Sequence, residues 1–152
     1  MKLPKNSQQM LPTHEQRVKQ ELAAAGVTKY GFMKFAVHYL PGLIHDDEHI
    51  GGIVYGRYTD KKSGNRWNEG MLVATNLRII FLDHKPGYTA SDEISYSAVS
   101  GVKLTWAVFS AVTLHTRVGD YQIRFVNTKC ANKFVSYVED RQLEDTEQLN
   151  KA

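Results

Sequence analysis

The densest run of potential metal ligands is the segment "HDDEH", residues His45 to His49. Imidazole and carboxylate groups bind divalent metals, but five consecutive side chains cannot all reach one ion. The spacing matches neither a calcium-binding loop nor the helical zinc motif, in which the glutamate directly follows the first histidine. We therefore predict no metal site, and we interpret the segment as an acidic connection between a helix and the first strand.

Cys130 is the only cysteine, so one chain can form neither an internal disulfide nor a zinc site built on several thiolates. A nucleophilic role would need a neighbouring histidine and an exposed, electropositive setting. His115, on a predicted strand, is not obviously near, and we expect Cys130 to pack at the start of a helix. Without a G-x-S-x-G, P-loop or G-x-G-x-x-G motif, the sequence indicates a protein that is not an enzyme and uses no cofactor.

A basic loop is the best candidate for ligand binding. In "TDKKSGNRWN" the cations Lys61, Lys62 and Arg66 precede Trp67. Such a group can hold a phosphate or an anionic lipid head group through charge-assisted hydrogen bonds. The alternative is an ordinary solvated loop.

Composition limits the remaining classes of function. The chain has 152 residues, 42% of them hydrophobic, and a formal charge of +3. This is enough for one domain with an extension, and the charge is too small and scattered to predict nucleic-acid binding. Neither a signal peptide nor a membrane-spanning segment is recognisable. We expect a cytoplasmic protein, with the inner face of the membrane as the alternative location.

The first 47 residues are predicted to be helical after a loose arm at 1–12. Thr13 can cap a helix that has Gln16 at its third position and ends near Gly26. A second helix is predicted before Pro41, with Phe32, Phe35, Ala36 and Tyr39 on one face at helical spacing. We interpret that face as a packing surface.

From His49 onward the hydrophobic period changes to two, which predicts strands with one dry and one wet face. In "GMLVATNLRIIFLDHK", two β-rich runs flank Thr75–Arg78, so we predict a hairpin with Asn76 as the pivot of its turn. "HKPGYTAS" is predicted to be a loop and "DEISYSAVS" a short strand. Residues 128–142 predict an amphipathic helix, capped by Asn127 or Thr128, with Phe134 on its apolar side, and 143–152 a polar tail.

Seven short strands followed by one helix resemble a pleckstrin homology (PH)-like domain. The resemblance is to the bacterial PH family, in which a strand ending in Thr-Asn-x-Arg precedes an apolar strand and a later step of the form I/V-x-x-V; it is also similar to the GRAM fold. The residues that carry it are Thr75, Asn76, Arg78, Ile79, Phe81, Ile94, Val99 and Val102. It implies a mainly β, seven-stranded split barrel of two orthogonal antiparallel sheets over residues 48–142. The C-terminal helix caps this barrel with Phe134 as its plug, and residues 1–47 form a helical extension.

The resemblance also implies a function. Related domains are noncatalytic modules, so we expect a protein partner or self-oligomerisation through uncovered edge strands. The alternative is a peripheral membrane module. Phosphoinositide-binding relatives use a lysine, then a basic residue, one intervening residue and an arginine, in the loop that corresponds to 60–68. Lys61, Lys62 and Arg66 resemble part of this pattern, but Asn68 stands where a further arginine would be.

Overall fold

The computed structural model describes residues 11–59, 67–106 and 108–151 of the chain. Its elements, in order, are α1 His14–Ala24, α2 Lys34–Tyr39, β1 Ile50–Thr59, β2 Trp67–Thr75, β3 Ile79–Lys85, β4 Tyr88–Ile94, β5 Val99–Trp106, β6 Ser110–Thr116, β7 Gly119–Arg124 and α3 Thr128–Lys151. Short 3₁₀ turns flank α2, at Gly31–Met33 and Leu40–Gly42, and a third precedes β5 at Tyr96–Ala98.

Helix α1 begins and ends as predicted. The Thr13 hydroxyl accepts a hydrogen bond from the backbone N–H of Gln16, whose side chain accepts one from the N–H of Thr13. Gly26 follows with φ +107°, a left-handed conformation that costs glycine little and ends the helix.

The face of α2 that packs inward is not the predicted one. Met33, Ala36, Val37 and Leu40 are buried, whereas Phe32, Phe35 and Tyr39 remain about half exposed. Both stripes are apolar and have helical spacing, so periodicity alone could not choose between them. The smaller side chains face the sheet because they allow the short helix to approach it closely.

All seven strands pair antiparallel in one continuous sheet, in the order β4-β3-β2-β1-β7-β6-β5. Strands β1–β4 form one half and β5–β7 the other, joined where Arg57 of β1 pairs with Arg124 of β7. The halves fold over each other: the rings of Phe81 and Tyr121 lie 5.6 Å apart, and the Tyr121 hydroxyl donates to Asp92 at 2.9 Å. This confirms the PH-like class, with the two expected sheets present as halves of one sheet.

The inner core lies between these halves and is sealed by α3. Asn127 caps this helix, its side-chain oxygen accepting hydrogen bonds from the N–H groups of Lys129 and Cys130. Phe134 is fully buried and its backbone lies against Gly52 of β1. The core is completed by a mixed aliphatic and aromatic set: Val54, Leu72, Ile79, Phe81, Ile94, Val112, Leu114, Ile123, Ala131 and Val138.

A second core lies on the outer face of the first half, where the leader (residues 13–44) packs. Leader residues Val18, Leu22, Met33, Val37 and Leu40 cover five side chains of β1–β3: Ile53, Met71, Val73, Ile80 and Leu82. Strands β2 and β3 are therefore buried on both faces from Met71 to Thr75 and from Ile79 to Asp83. The prediction of one wet face per strand is wrong for these parts of β2 and β3, because a second layer of helices excludes water there.

Two boundaries also differ from prediction. Pro86 and Gly87 form a two-residue turn, with Gly87 at φ +80°, so β4 begins at Tyr88 inside the predicted loop. Helix α3 continues to Lys151 through the predicted tail. Arg141 and Gln142 fix this part of α3 by donating to the backbone oxygens of Asn76 and Val99.

Candidate functional site

The "HDDEH" segment supplies a buried structural carboxylate. Glu48 is 0% exposed, and both of its oxygens accept hydrogen bonds from the Arg78 guanidinium at 2.9 Å. The Thr75 hydroxyl donates to Glu48 at 2.6 Å, and the backbone N–H of His45 donates at 3.1 Å. Among the residues with described coordinates, no three metal-binding side chains converge. Glu48 therefore joins the end of the leader to the β2–β3 turn.

The surrounding charges decide the ionisation of Glu48. Burial by itself raises the pKa of the carboxyl, but the hydrogen bonds from Arg78, Thr75 and the His45 N–H, together with the Arg78 charge, lower it below the ordinary glutamate value. Arg78 also contacts Glu93 at 3.1 Å and donates to the Leu43 backbone oxygen at 2.6 Å. Arg78 is thus an electrostatic anchor between leader and sheet.

Thr75 closes the β2–β3 turn, and Asn76 ties it to the leader. The Thr75 hydroxyl accepts from the N–H groups of Leu77 and Arg78, each at 3.1 Å. Asn76 lies in this turn without a positive φ, and its side-chain oxygen accepts from the His49 N–H at 2.6 Å. These turn residues thus hold the β2–β3 turn together and join it to the segment that precedes β1.

Cys130 is buried beneath Gly26, and its thiol has a raised pKa, mainly because burial disfavours the thiolate. The positive charges of Lys133 and Lys129 oppose this effect without overcoming it. A protonated, inaccessible thiol is a poor nucleophile. Its environment is that of a packing residue.

The predicted anion site falls mostly outside the described residues. Lys61, Lys62 and Arg66 belong to that part, and of Trp67 only the backbone is described, paired with Thr59 at the end of the β1–β2 ladder. The described residues place the two ends of the loop side by side.

An exposed aromatic face lies on the leader; we define it as Phe32, Phe35 and Tyr39. These side chains are 51%, 48% and 39% exposed. Tyr39 stacks on His84 of β3 with ring centroids 4.2 Å apart, and the edge of Phe32 meets Tyr55 of β1 at 6.0 Å. The opposite side of the same helix is buried, so this face is fixed in position. Sequence periodicity had detected the stripe but not its exposure.

Two arginines extend this face across the sheet. Arg57 and Arg124 are direct partners in the β1–β7 pairing, and each guanidinium lies over a phenylalanine ring, Phe125 at 5.9 Å and Phe109 at 5.5 Å. Arg57 also lines a cavity of about 330 Å³ with Phe32 and Met33 of the leader. Cationic and aromatic groups thus alternate over one surface.

An acidic surface lies on α3. Its acidic face, which we define as Glu139, Asp140, Leu143 and Glu147, is exposed and follows a three- to four-residue spacing. The apolar side chain of Leu143 stands among three carboxylates. This combination complements the aromatic face and its arginines.

A third feature is the mouth cavity, a depression of about 380 Å³ at the end of the split barrel. It is lined by residues of β1, β3, β4 and β7: Tyr58, Thr59, Phe81, Tyr88, Ala90, Asp92, Asp120, Tyr121, Gln122 and Ile123. Because these residues are far apart in the sequence, no local motif could have revealed it. None of the described helices is long and apolar enough to cross a bilayer.

Comparisons with solved structures find three similar chains. The C-terminal domain of an unknown protein from Leishmania infantum is 15% identical, with a TM-score of 0.50 over 74% of this chain and 96% of that one. A DUF1696 family protein with a pleckstrin-homology domain from Shewanella loihica is 12% identical, with a TM-score of 0.46 over 76% and 99% of the two chains. The PH domain of USP37 is 17% identical, with a TM-score of 0.42 over 64% and 97%.

The first of these likenesses supports the fold alone, because identity is low. A search of curated proteins finds no match. Residues 44–140, from the end of the leader to the middle of α3, match the family described as bacterial PH domain. That stretch contains the seven strands, the Glu48–Arg78 anchor and Phe134. The chain belongs to the bacterial PH domain family.

Proposed function

We propose that this chain is a noncatalytic assembly module that binds a second copy of itself through the aromatic face of its leader. The observation that carries the proposal is the exposure of Phe32, Phe35 and Tyr39 on a helix whose other side is fully packed. Aromatic residues held rigidly at a surface bury a large apolar area at a small cost in conformational entropy. The edge strands β4 and β5 are weaker candidates, because Asp92, Glu93 and Lys103 discourage strand addition.

Charge complementarity supports a second copy as the occupant. The aromatic face is flanked by Arg57 and Arg124, whereas the acidic face of α3 presents carboxylates around Leu143. Oppositely charged surfaces with apolar centres attract and orient each other. Since the two faces differ, the contact is heterologous, and repeating it produces a ring or a chain of subunits.

The test exploits this asymmetry. Phe35→Glu should block the aromatic face and Leu143→Glu should block the acidic face; both side chains are exposed, and the two blocked faces then carry charge of the same sign and cannot pair with each other. We expect each variant alone to be a monomer by light scattering. Mixed in equal amounts, they should form dimers and nothing larger, because one intact face of each kind remains. Lys19→Glu, on the exposed side of α1, is the matched control and should assemble like the unmodified protein.

Two outcomes would reject self-assembly. One is an unmodified protein that stays monomeric at its highest soluble concentration. The other is a mixture of the two variants that gives no dimer although each variant melts like the unmodified protein.

We propose as the second candidate an anionic ligand or membrane surface at Lys61, Lys62, Arg66 and Trp67. What supports it is the pairing of Thr59 with Trp67, which confines three cations to a span of seven residues between two paired strand ends. Co-sedimentation with phosphatidylglycerol vesicles at low and high salt is the test, because screening must weaken binding by surface charge. Lys61→Glu with Lys62→Glu should abolish the binding, while Lys19→Glu should retain it. If binding changes neither with salt concentration nor with the loop substitutions, this loop is not the binding site.

A further inference from the structure

We propose that the mouth cavity is a binding site for an organic ammonium group, such as a quaternary or N-methylated amine. The site is separate from the aromatic face and does not depend on self-assembly. Its lining includes four aromatic residues, Tyr58, Phe81, Tyr88 and Tyr121, and two acidic residues, Asp92 and Asp120.

The rings enclose the space instead of stacking flat. Tyr58 and Phe81 meet at 86° with centroids 5.0 Å apart, and Phe81 and Tyr121 meet at 44° with centroids 5.6 Å apart. The face of an aromatic ring carries negative electrostatic potential and attracts a cation within about 6 Å of its centroid. Rings set at different angles around one space can direct several faces toward a single rounded cation.

The carboxylate of Asp92 adds negative charge beside these rings. The Tyr121 hydroxyl donates to Asp92 at 2.9 Å, and the pKa of Tyr121 is raised to about 12 by burial first and by Asp92 second, so that the hydroxyl keeps its proton. Asp120 also belongs to the lining, and its carboxylate contacts His115, its partner on β6, at 3.1 Å. An anionic ligand would meet like charge here, whereas a cation would be attracted.

One ammonium group of the protein already contacts one of these rings. The Lys85 nitrogen lies 4.9 Å from the centre of the Tyr88 ring and 3.8 Å from Asp83, whose buried carboxylate also accepts from the Tyr58 hydroxyl. A quaternary ammonium suits the cavity better than a second lysine, because its charge is spread over methyl groups and it loses less hydration on entering an aromatic site. Choline head groups of lipids, methylated lysines of a peptide and free choline share this chemistry.

Choline and its neutral isostere 3,3-dimethylbutan-1-ol provide the decisive comparison. They have the same shape and differ in the charge at one atom. We expect choline to shift the NMR signals of residues around Tyr88 and Tyr121 saturably, and the isostere and inorganic phosphate to leave them unchanged. Equal binding of both alcohols, no binding of choline, or binding of phosphate at these residues would overturn the proposal.

Two pairs of variants locate the site. Tyr88→Leu should weaken choline binding roughly 2- to 30-fold through loss of one ring, whereas Tyr88→Phe keeps the ring and should retain it. Asp92→Asn should weaken it, whereas Glu93→Gln on the other face of β4 should not. Since Tyr88 and Asp92 are exposed, thermal melts should show folded variants, and full affinity in Tyr88→Leu or Asp92→Asn would refute the site. Phosphatidylcholine vesicles and a trimethyl-lysine peptide then separate a lipid source from a protein source.

Discussion

Glu48 forms a buried ion pair that no local pattern in the sequence predicts. In the sequence it is one of three consecutive acidic residues, and such runs are usually solvated. In the fold it alone of the three is buried, paired with Arg78 thirty positions later. The Thr75-Asn76-x-Arg78 pattern was recognised as a family feature, but no local rule connects an arginine after a turn to a carboxylate before the first strand.

Removing one partner of the Glu48–Arg78 pair should lower the free energy of unfolding substantially. Glu48→Gln removes the buried counter-charge of the Arg78 guanidinium and leaves it only the exposed Glu93; loss of a buried partner typically costs about 3–5 kcal/mol. The control is Glu93→Gln, because Glu93 contacts the same arginine while 67% exposed, and exposed pairs contribute about 1 kcal/mol or less. Urea unfolding measures both, and equal losses would mean that Glu48 is not the anchor.

Acid should weaken the same region. The pKa values of Glu48 and Glu21 are both lowered in the fold. Burial raises each pKa, but hydrogen bonds to the carboxylate outweigh this effect. Glu48 accepts them from Arg78 and Thr75, and Glu21 accepts them from His49, the Ile50 N–H and Arg17. The folded state therefore binds these protons less tightly than the unfolded chain. Their contribution is fully present above the ordinary value of 4.5 and is lost as pH falls through the folded pKa. The unfolding free energy should fall more steeply from pH 7 to about 3 in the unmodified protein than in Glu48→Gln; parallel curves would contradict this origin.

At the scale of elements, the sequence predicted what alternation and turn chemistry control. The β2–β3 hairpin, the cap at Thr13 and the buried side of α3 are all local patterns. The inward face of α2 and the double burial of β2 and β3 depend on which layers meet, so single-sequence periodicity had no means of deciding them. The exposure of Phe32 and Phe35 is a consequence of that packing.

The contact between β1 and β7 should be sensitive to a single methyl group. A Cβ built on Gly56 would lie 2.1 Å from the backbone oxygen of Arg124, so Gly56→Ala must push the two strands apart. Overpacking of this kind costs about 1–3 kcal/mol, and displaced backbone places it at the upper end. Gly42→Ala is the control, since nothing lies within 4 Å of its built Cβ and its φ is not in the left-handed range. If the two variants have the same melting temperature, β1 and β7 are not in close contact at Gly56.

At the scale of the whole molecule, strands β1–β3 belong to two cores at once. Their inner side packs against β5–β7 and α3, and their outer side packs against the leader. The sequence predicts the leader only as a helical extension, because no local pattern indicates which surface a helix covers. The candidate sites follow from this arrangement: the leader fixes the aromatic face, and the folded-over halves form the mouth cavity from four separated strands.

A leader substitution should consequently destabilise the barrel. Leu22 of α1 is fully buried against the outer face, and Leu22→Ala should cost about 2–5 kcal/mol. Both tryptophans, Trp67 and Trp106, belong to the strands, so their fluorescence reports unfolding of the barrel alone. If leader and barrel form one cooperative unit, Leu22→Ala must shift the urea midpoint measured by tryptophan fluorescence as much as the one measured by helical circular dichroism.

Lys19→Ala, on the exposed side of α1, should shift neither. A fluorescence midpoint that stays unchanged while the helical signal moves would make the leader an independent unit, and the aromatic face would then no longer be held in place by the sheet.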